Sequence, residues 1–300
     1  AYPHIHNSHN NVPVAAIPRQ RIIVGISFEE QLLPIVQTNR KYIYYMSDAK
    51  IMTGSTPAAK KYRITIAERG PYLVFGRPPL AQQFIMSNDR GASWYFQEGR
   101  HFSTESEPTA LCRCGASHRK PYCDGTHASV VWDSELKAPV SPLLEAVEVT
   151  EGPKVSMSDN ERYCTFARFC DADGRAWALV AESDDPRKRK LAIREASMCP
   201  GSRLMAWDNE TGKPFEPHYD PELALIEDIA MNSSGGLWVR GGIRIERADG
   251  TPYEIRNRVV LCRCGHSENK PYCDGTHAAI KWRDEIEGVP EGETVPEKVY

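Results

Sequence analysis

The sequence has no long apolar run: nothing approaches the roughly 18 consecutive apolar residues of a membrane span, and the peak at Arg21–Ile26 is short. It also has no dominant charge. With 37 Lys and Arg against 40 Asp and Glu, the net charge is −3 over 300 residues, which excludes a global electrostatic footprint for nucleic acid or an anionic membrane. The opening stretch, AYPHIHNSHNN, has neither a basic n-region nor an apolar h-region, so no secretory signal is expected there and the expected location is cytoplasmic. G-x-G-x-x-G, P-loop, G-x-S-x-G and H-E-x-x-H motifs are all missing, which leaves nucleotide binding and familiar hydrolase chemistry without support. The expectation is therefore a protein that is not an enzyme. What is present is an ordinary globular composition, 41% hydrophobic and 26% charged, and nine cysteines. An odd count cannot close completely into intramolecular disulfides, and a chain of this length needs no disulfide staples. Metal chemistry comes first.

The strongest organisational signal is an internal repeat. LCRCGASHRKPYCDGTHASVVW at Leu111–Trp132 returns as LCRCGHSENKPYCDGTHAAIKW at Leu261–Trp282, with 16 of 22 positions identical at an offset of 150 residues. Upstream, GPYLVFGRPPL at Gly70–Leu80 resembles GLWVRGGIRIE at Gly236–Glu246 more weakly, both reading as short strands with a Gly-rich turn. So long a period describes two copies of one small module with something between them, not a solenoid. Tyr62, Ile64 and Ile66 alternate as a strand does, and Ile243 and Ile245 run into an Ala248-Asp249-Gly250 hairpin turn. Between the copies, Asp185 as N-cap and Pro186 at the first helical position predict a helix up to Cys199-Pro200, with Leu191, Ile193 and Ala196 as its narrow apolar face. Near the start, Arg21–Ile26 and Lys41–Met46 read as strands, and Ser27 with Glu30 fits a capping box.

Each repeat carries Cys-x-Cys, eight residues, then Cys-Asp-Gly-Thr-His. The sets are Cys112, Cys114, Cys123, His127 and Cys262, Cys264, Cys273, His277. Three thiolates and an imidazole suit tetrahedral zinc or an iron–sulfur cluster, and ligand type alone leaves both open. Gly115 and Gly265 supply unusual backbone angles to the turn that brings two thiolates together. Arg113, Arg263, Lys120 and Lys270 either donate toward the site or are simply solvated; Asp124 and Asp274 cap the following turn; His118 and His266 are surface residues; Trp132 and Trp282 close the repeats beside the sites.

The full pattern, C-x-C-x2-S-x3-P-x-C-D-G-T-H twice, resembles the CDGSH iron–sulfur family. Ser117, Ser267, Pro121, Pro271, Asp124 and Asp274 fall where that motif wants them, with Thr126 and Thr276 at its variable position. The resemblance implies a [2Fe–2S] cluster in each copy, held by three cysteines and one histidine. It also implies an α+β, β-rich fold in which two small modules form an intramolecular pseudo-dimer. Replacing a thiolate by neutral imidazole removes negative charge and raises the potential; Rieske centres, with two histidines, lie at roughly −150 to +300 mV against about −400 mV for plant-type ferredoxins. A titratable ligand also predicts redox-active, acid-labile clusters.

Cys164, Cys170 and Cys199 remain, as Cys-x5-Cys (CTFARFC) and a distant Cys-Pro. Ala167 stands where the middle cysteine of a bacterial ferredoxin run belongs. Over Tyr163–Trp207 this resembles single-cluster ferredoxins that bind [3Fe–4S] and short divergent mono-cluster ferredoxin domains, with CPGSRL echoing their C-P-(S/G)-x-A-L ending and Arg203 departing from it. That resemblance implies a [3Fe–4S] cluster, or a [4Fe–4S] cluster completed by water, Asp171 or Asp173; three buried core thiols are the plain alternative. His4, His6 and His9 read as part of a flexible tail. The expected organisation is an unassigned extension at 1–60, a first module at 61–140, a ferredoxin-like segment at 141–233, a second module at 234–284 and an acidic, solvated tail at 285–300. The expected function is electron transfer with a redox partner protein. The alternatives are cluster storage or transfer to an apo iron–sulfur acceptor, and a structural subunit of a larger assembly.

Overall fold

The computed structural model describes residues 49–291. The strands expected at Arg21–Ile26 and Lys41–Met46, the Ser27–Glu30 capping box, the His4, His6 and His9 group and the tail beyond 291 lie outside them. The chain is α+β and β-rich. Strands β1 (Arg63–Ile66), β2 (Tyr72–Phe75), β3 (Leu80–Ser87), β4 (Ser93–Phe102) and β5 (Thr109–Leu111) come first. Then follow β6 (Glu148–Thr150), β7 (Val155–Asp159), α1 (Ala176–Ala181), α2 (Pro186–Ser197) and β8 (Leu204–Asp208). Last come β9 (Glu222–Asp228), β10 (Ser233–Arg240), β11 (Arg244–Arg247), β12 (Arg258–Leu261) and the short α3 (Thr276–Ala279).

The repeat folds by exchanging strands. One sheet has the order β11-β1-β2-β5, the other β12-β10-β9-β3-β4. Each repeat thus builds a three-stranded antiparallel core and lends one strand to the other copy: β11 pairs parallel with β1, and β3 pairs parallel with β9. The two arrangements are related by a pseudo-twofold, and one core of Ile64, Ile66, Tyr72, Leu111 with Leu237, Ile245, Leu261 and Tyr272 runs through both. The alternation at Tyr62–Ile66 is borne out, with Ile64 and Ile66 buried and Arg63 and Thr65 half-buried. The upstream alignment is one residue out. Tyr72 pairs with Leu111 and Leu237 with Leu261, so Gly70 matches Gly235 rather than Gly236. The Gly235-Gly236 pair offers two ways to match the single Gly70, and similarity of composition does not choose between them.

Strand pairing also crosses the expected boundaries. β9 falls inside 141–233 yet is the second module's counterpart of β1. Residues 49–60 are not wholly an extension, since the Met52 N–H donates to the Ile255 carbonyl at 2.9 Å and Met52 is buried. The acidic tail is not simply solvated either. Up to Glu291 it follows the exposed edge of β4, where the Glu291 N–H donates to the Glu98 carbonyl at 2.8 Å and covers an otherwise open edge.

The intervening segment is a three-stranded sheet, β6-β7-β8, packed against α1 and α2. The Asp185 carboxylate caps α2, accepting from the Arg187 and Lys188 N–H groups at 2.7 and 3.2 Å, with Pro186 at the first helical position. Its buried face is Ala192, Arg194, Glu195 and Ala196, whereas Leu191 and Ile193 are only partly buried. Small residues on the core side let α2 approach β7 and β8 closely.

Candidate metal centres

Each Cys-x-Cys turn begins where an edge strand of its sheet ends, β5 or β12. The Cys112 N–H donates to the Pro121 carbonyl at 2.8 Å and the Cys123 N–H to the Ala110 carbonyl at 2.9 Å; Cys262–Pro271 and Cys273–Val260 repeat this at 2.7 and 2.8 Å. Side chains shape the loop between. Ser117 Oγ donates to the Tyr122 carbonyl at 2.7 Å and accepts from the Arg119 N–H, while Asp124 accepts from the His118 and Thr126 N–H groups at 2.8 and 3.0 Å. Ser267 and Asp274 do the same in the second copy. The expected capping role of both aspartates is present.

These loops bring the expected donors together in pairs. Cys112 and Cys114 Sγ are 3.8 Å apart, and Cys123 Sγ lies 3.3 Å from His127 Nδ1; the second copy gives the same 3.8 and 3.3 Å. Two thiolates about 2.3 Å from one tetrahedral metal would be about 3.8 Å apart. All four donors of the first copy line one small cavity, alongside Gly70, Pro71 and Arg113. Among the described residues, however, no three Cys, His, Asp or Glu side chains converge on a single ion. The donors sort into two pairs facing one cavity, which fits a two-metal group better than one zinc ion.

Electrostatics prepares the inner pair for charge. The Cys112 thiol is held down at about 6, first by the hydrogen bond from Cys114 and then by the backbone N–H groups of Ser117, Gly115 and Cys114. Cys262 is lowered to about 7 for the same reason. Cys114 and Cys264 are raised as the partners that keep the shared proton. Each turn therefore holds one ready thiolate, the form that binds metal. Burial, and then Arg263, lowers His277 to about 4, so its imidazole is neutral and has a free lone pair at neutral pH.

Arg113 and Arg263 lie beside the donors rather than in solvent, but their guanidinium groups are spent on other partners. Both are buried clamps. Arg113 donates to the carbonyls of Gly70, Ser134 and Ala67 at 2.8, 3.0 and 3.2 Å and stacks 4.7 Å from the Trp132 ring. Arg263 donates to the Gly235 and Ile226 carbonyls at 3.1 and 3.2 Å and to Glu227 at 3.0 Å, and it also pairs with Asp284. The tryptophans thus cover the arginines more directly than the donor sets, although Trp132 Nε1 also donates to the His127 carbonyl at 3.2 Å. Lys270 is buried with Nζ on the Ser267 carbonyl, Lys120 is half-buried, and His118 and His266 are exposed as expected.

The two Cys-x-Cys turns meet back to back. A β-carbon on Gly115 would lie 2.3 Å from the Cys264 carbonyl oxygen, and one on Gly265 2.3 Å from that of Cys114, both glycines having positive φ. Tyr72 of the first module donates its hydroxyl to the Cys262 carbonyl at 2.7 Å. Nothing in the spacing of the repeats pointed to that tyrosine. Arg258, which stands just before the apolar run leading to Cys262, is wholly buried, pairs with Glu216 at 2.6 Å and donates to the Cys199 carbonyl.

The third triplet is looser. Cys164 and Cys170 line a surface hollow with Phe166, Arg168, Asp171 and Arg203, and with Ala92 and Ser93. Cys199, just past α2, is close enough that its charge, after burial, helps push the Cys170 thiol up to about 12. Asp171 shares the hollow, whereas Asp173 is taken by Arg90 at 2.6 Å and Arg187 at 3.4 Å. Arg203, which departs from the ferredoxin-like ending, is committed to Asp159 at 2.7 Å.

A family model described as the iron-binding zinc finger of CDGSH type matches residues 69–128 and 234–278. The curated proteins and the solved structures compared with the chain include no match.

Proposed function

We propose that this chain, two stretches of which match the iron-binding CDGSH type, is an iron–sulfur protein that carries two [2Fe–2S] clusters and works as a non-catalytic electron carrier. The proposed ligands are Cys112, Cys114, Cys123 and His127 in the first site and Cys262, Cys264, Cys273 and His277 in the second. The observation that carries this is the pairing of donors, 3.8 Å for the thiols and 3.3 Å for thiol and imidazole, identical in both copies. When bound, such a cluster supplies a one-electron couple. The chain's own part is to fix the donors with Arg113 and Arg263 and to hold one thiolate of each turn on backbone N–H groups. It also keeps His277 neutral, and the touching Cys-x-Cys-Gly turns bring the two sites near each other.

For the central thiols we propose a [3Fe–4S] cluster on Cys164, Cys170 and Cys199, with Asp171, which lines the same hollow, completing a [4Fe–4S] form. The shared hollow and the mutual charge effects among the thiols support this reading. EPR of oxidised and reduced protein with iron and zinc analysis tests both levels, and stoichiometric zinc without iron overturns them. A second reading, cluster storage and delivery to an apo iron–sulfur acceptor, is favoured by one observation: Cys123 and His127 are only half-buried. Among the described residues no helix is long and apolar enough to cross a membrane.

A further inference from the structure

The repeats are nearly identical in sequence, but their surroundings are not. In the second copy Cys273 and His277 are 3% and 6% exposed, while Cys123 and His127 of the first are half-buried. The difference comes from the central segment. The Arg162 carbonyl accepts from Asn269 Nδ2 at 2.8 Å, and the Tyr163 ring meets the Tyr272 ring edge-on at 5.0 Å. A β-carbon on Gly275 would lie 3.2 Å from both the Cys164 carbonyl oxygen and Phe166 Cβ. Ala167 and Phe169 then enter a core cluster that includes Cys273, and Arg168 closes the run with two bonds to Asp228 at 2.9 and 2.6 Å.

This covering is built rather than incidental. Phe166 and Arg168 both have positive φ, 59° and 64°, a conformation that is costly for a side-chain-bearing residue and persists only where surrounding contacts hold it. Nothing comparable covers the first copy among the described residues. Arg119, the counterpart of Asn269, is exposed, and Gly125 has no neighbour within 4 Å. The Tyr122 hydroxyl instead donates within its own module, to the Ser103 carbonyl at 2.8 Å.

We propose that the Arg162–Arg168 run is a cap on the second CDGSH site, so that iron or cluster leaves and enters the protein through the first site while the second is retained. This rests on the reading that both sites hold [2Fe–2S] clusters. The cap acts through access alone: loss from the second site waits on local opening of the segment, whereas the first site needs none.

The test is the loss of the reduced [2Fe–2S] EPR signal from full-length holo-protein in excess EDTA at neutral pH. Wild type is expected to lose it in two phases of equal amplitude. Cys273→Ser, keeping the first site, should retain the fast phase, and Cys123→Ser, keeping the second, a phase about tenfold slower, as local opening imposes. Asn269→Ala combined with Arg168→Ala removes the tether and the two bonds to Asp228 without touching a ligand, and should bring the slow phase to within about threefold of the fast one. A single phase in wild type, equal rates in the single-site variants, or an unchanged slow phase in the double variant overturns the cap. Absence of any [2Fe–2S] signal from the isolated protein overturns the cluster reading instead.

Discussion

At the residue scale, the histidines carry the most chemistry for their number. In each donor set an imidazole, which brings no negative charge, stands where an all-cysteine site would place a thiolate, so the oxidised state receives less stabilisation. His127→Cys or His277→Cys should lower the potential of its own site by on the order of 100 mV, read by potentiometric titration followed by EPR. Another residue matters to stability alone. Glu195 is fully buried in α2; burial raises its carboxyl to about 7, and Oε1 accepts the Asp173 N–H at 2.8 Å. An unfolded glutamate ionises near 4.3, so between about 4.3 and about 7 the folded chain binds a proton that the unfolded chain has released. The stability this contributes is complete below the lower value and is lost as pH rises through the upper one. Glu195→Gln keeps the acceptor and removes the titration, so above about pH 7 it should raise the melting temperature and flatten its pH dependence, with up to about 3 kcal/mol at stake.

At the element scale, what the sequence made legible was whatever repeats locally. Cys112–His127 and Cys262–His277 could be read because each donor set sits in one loop with its glycine and its capping aspartate. The Asp185-Pro186 start of α2 was equally local. The exchange of β3 and β11 between modules was not legible, because parallel pairing joins residues such as Ile64 and Ile245 that no short-range pattern connects. Nor was the role of Arg113 and Arg263: an arginine between two cysteines reads as a donor toward the site or as solvated until the turn with Gly70 and the strand with Gly235 pack against it. Two predictions belong here. Arg263→Ala leaves Glu227 and Asp284 buried without their partner and should cost about 3–5 kcal/mol in denaturant unfolding. Gly115→Ala puts a β-carbon against the Cys264 carbonyl at a positive-φ position and should destabilise the chain by at least about 2 kcal/mol. The second effect should be matched by Gly265→Ala, since the contact is reciprocal.

At the scale of the whole molecule, the duplicated module and the inserted segment give an arrangement that neither would have alone. The two Cys-x-Cys-Gly turns touch across the pseudo-twofold, and the central segment breaks the symmetry by lying over only one His-bearing loop. The three thiol groups therefore stand in a series: the first CDGSH site beside the second, and the second beside Cys164, whose charge also acts on Cys273. The central claim is that these groups hold iron–sulfur clusters rather than zinc or bare thiols. EPR with iron, sulfide and zinc quantification on one preparation tests it most directly. The account predicts about four irons per chain in two [2Fe–2S] signals that appear on reduction, and about seven irons with a further oxidised-state [3Fe–4S] signal when the central thiols are filled. About two zinc ions per chain, no iron and no signal in either state would contradict it.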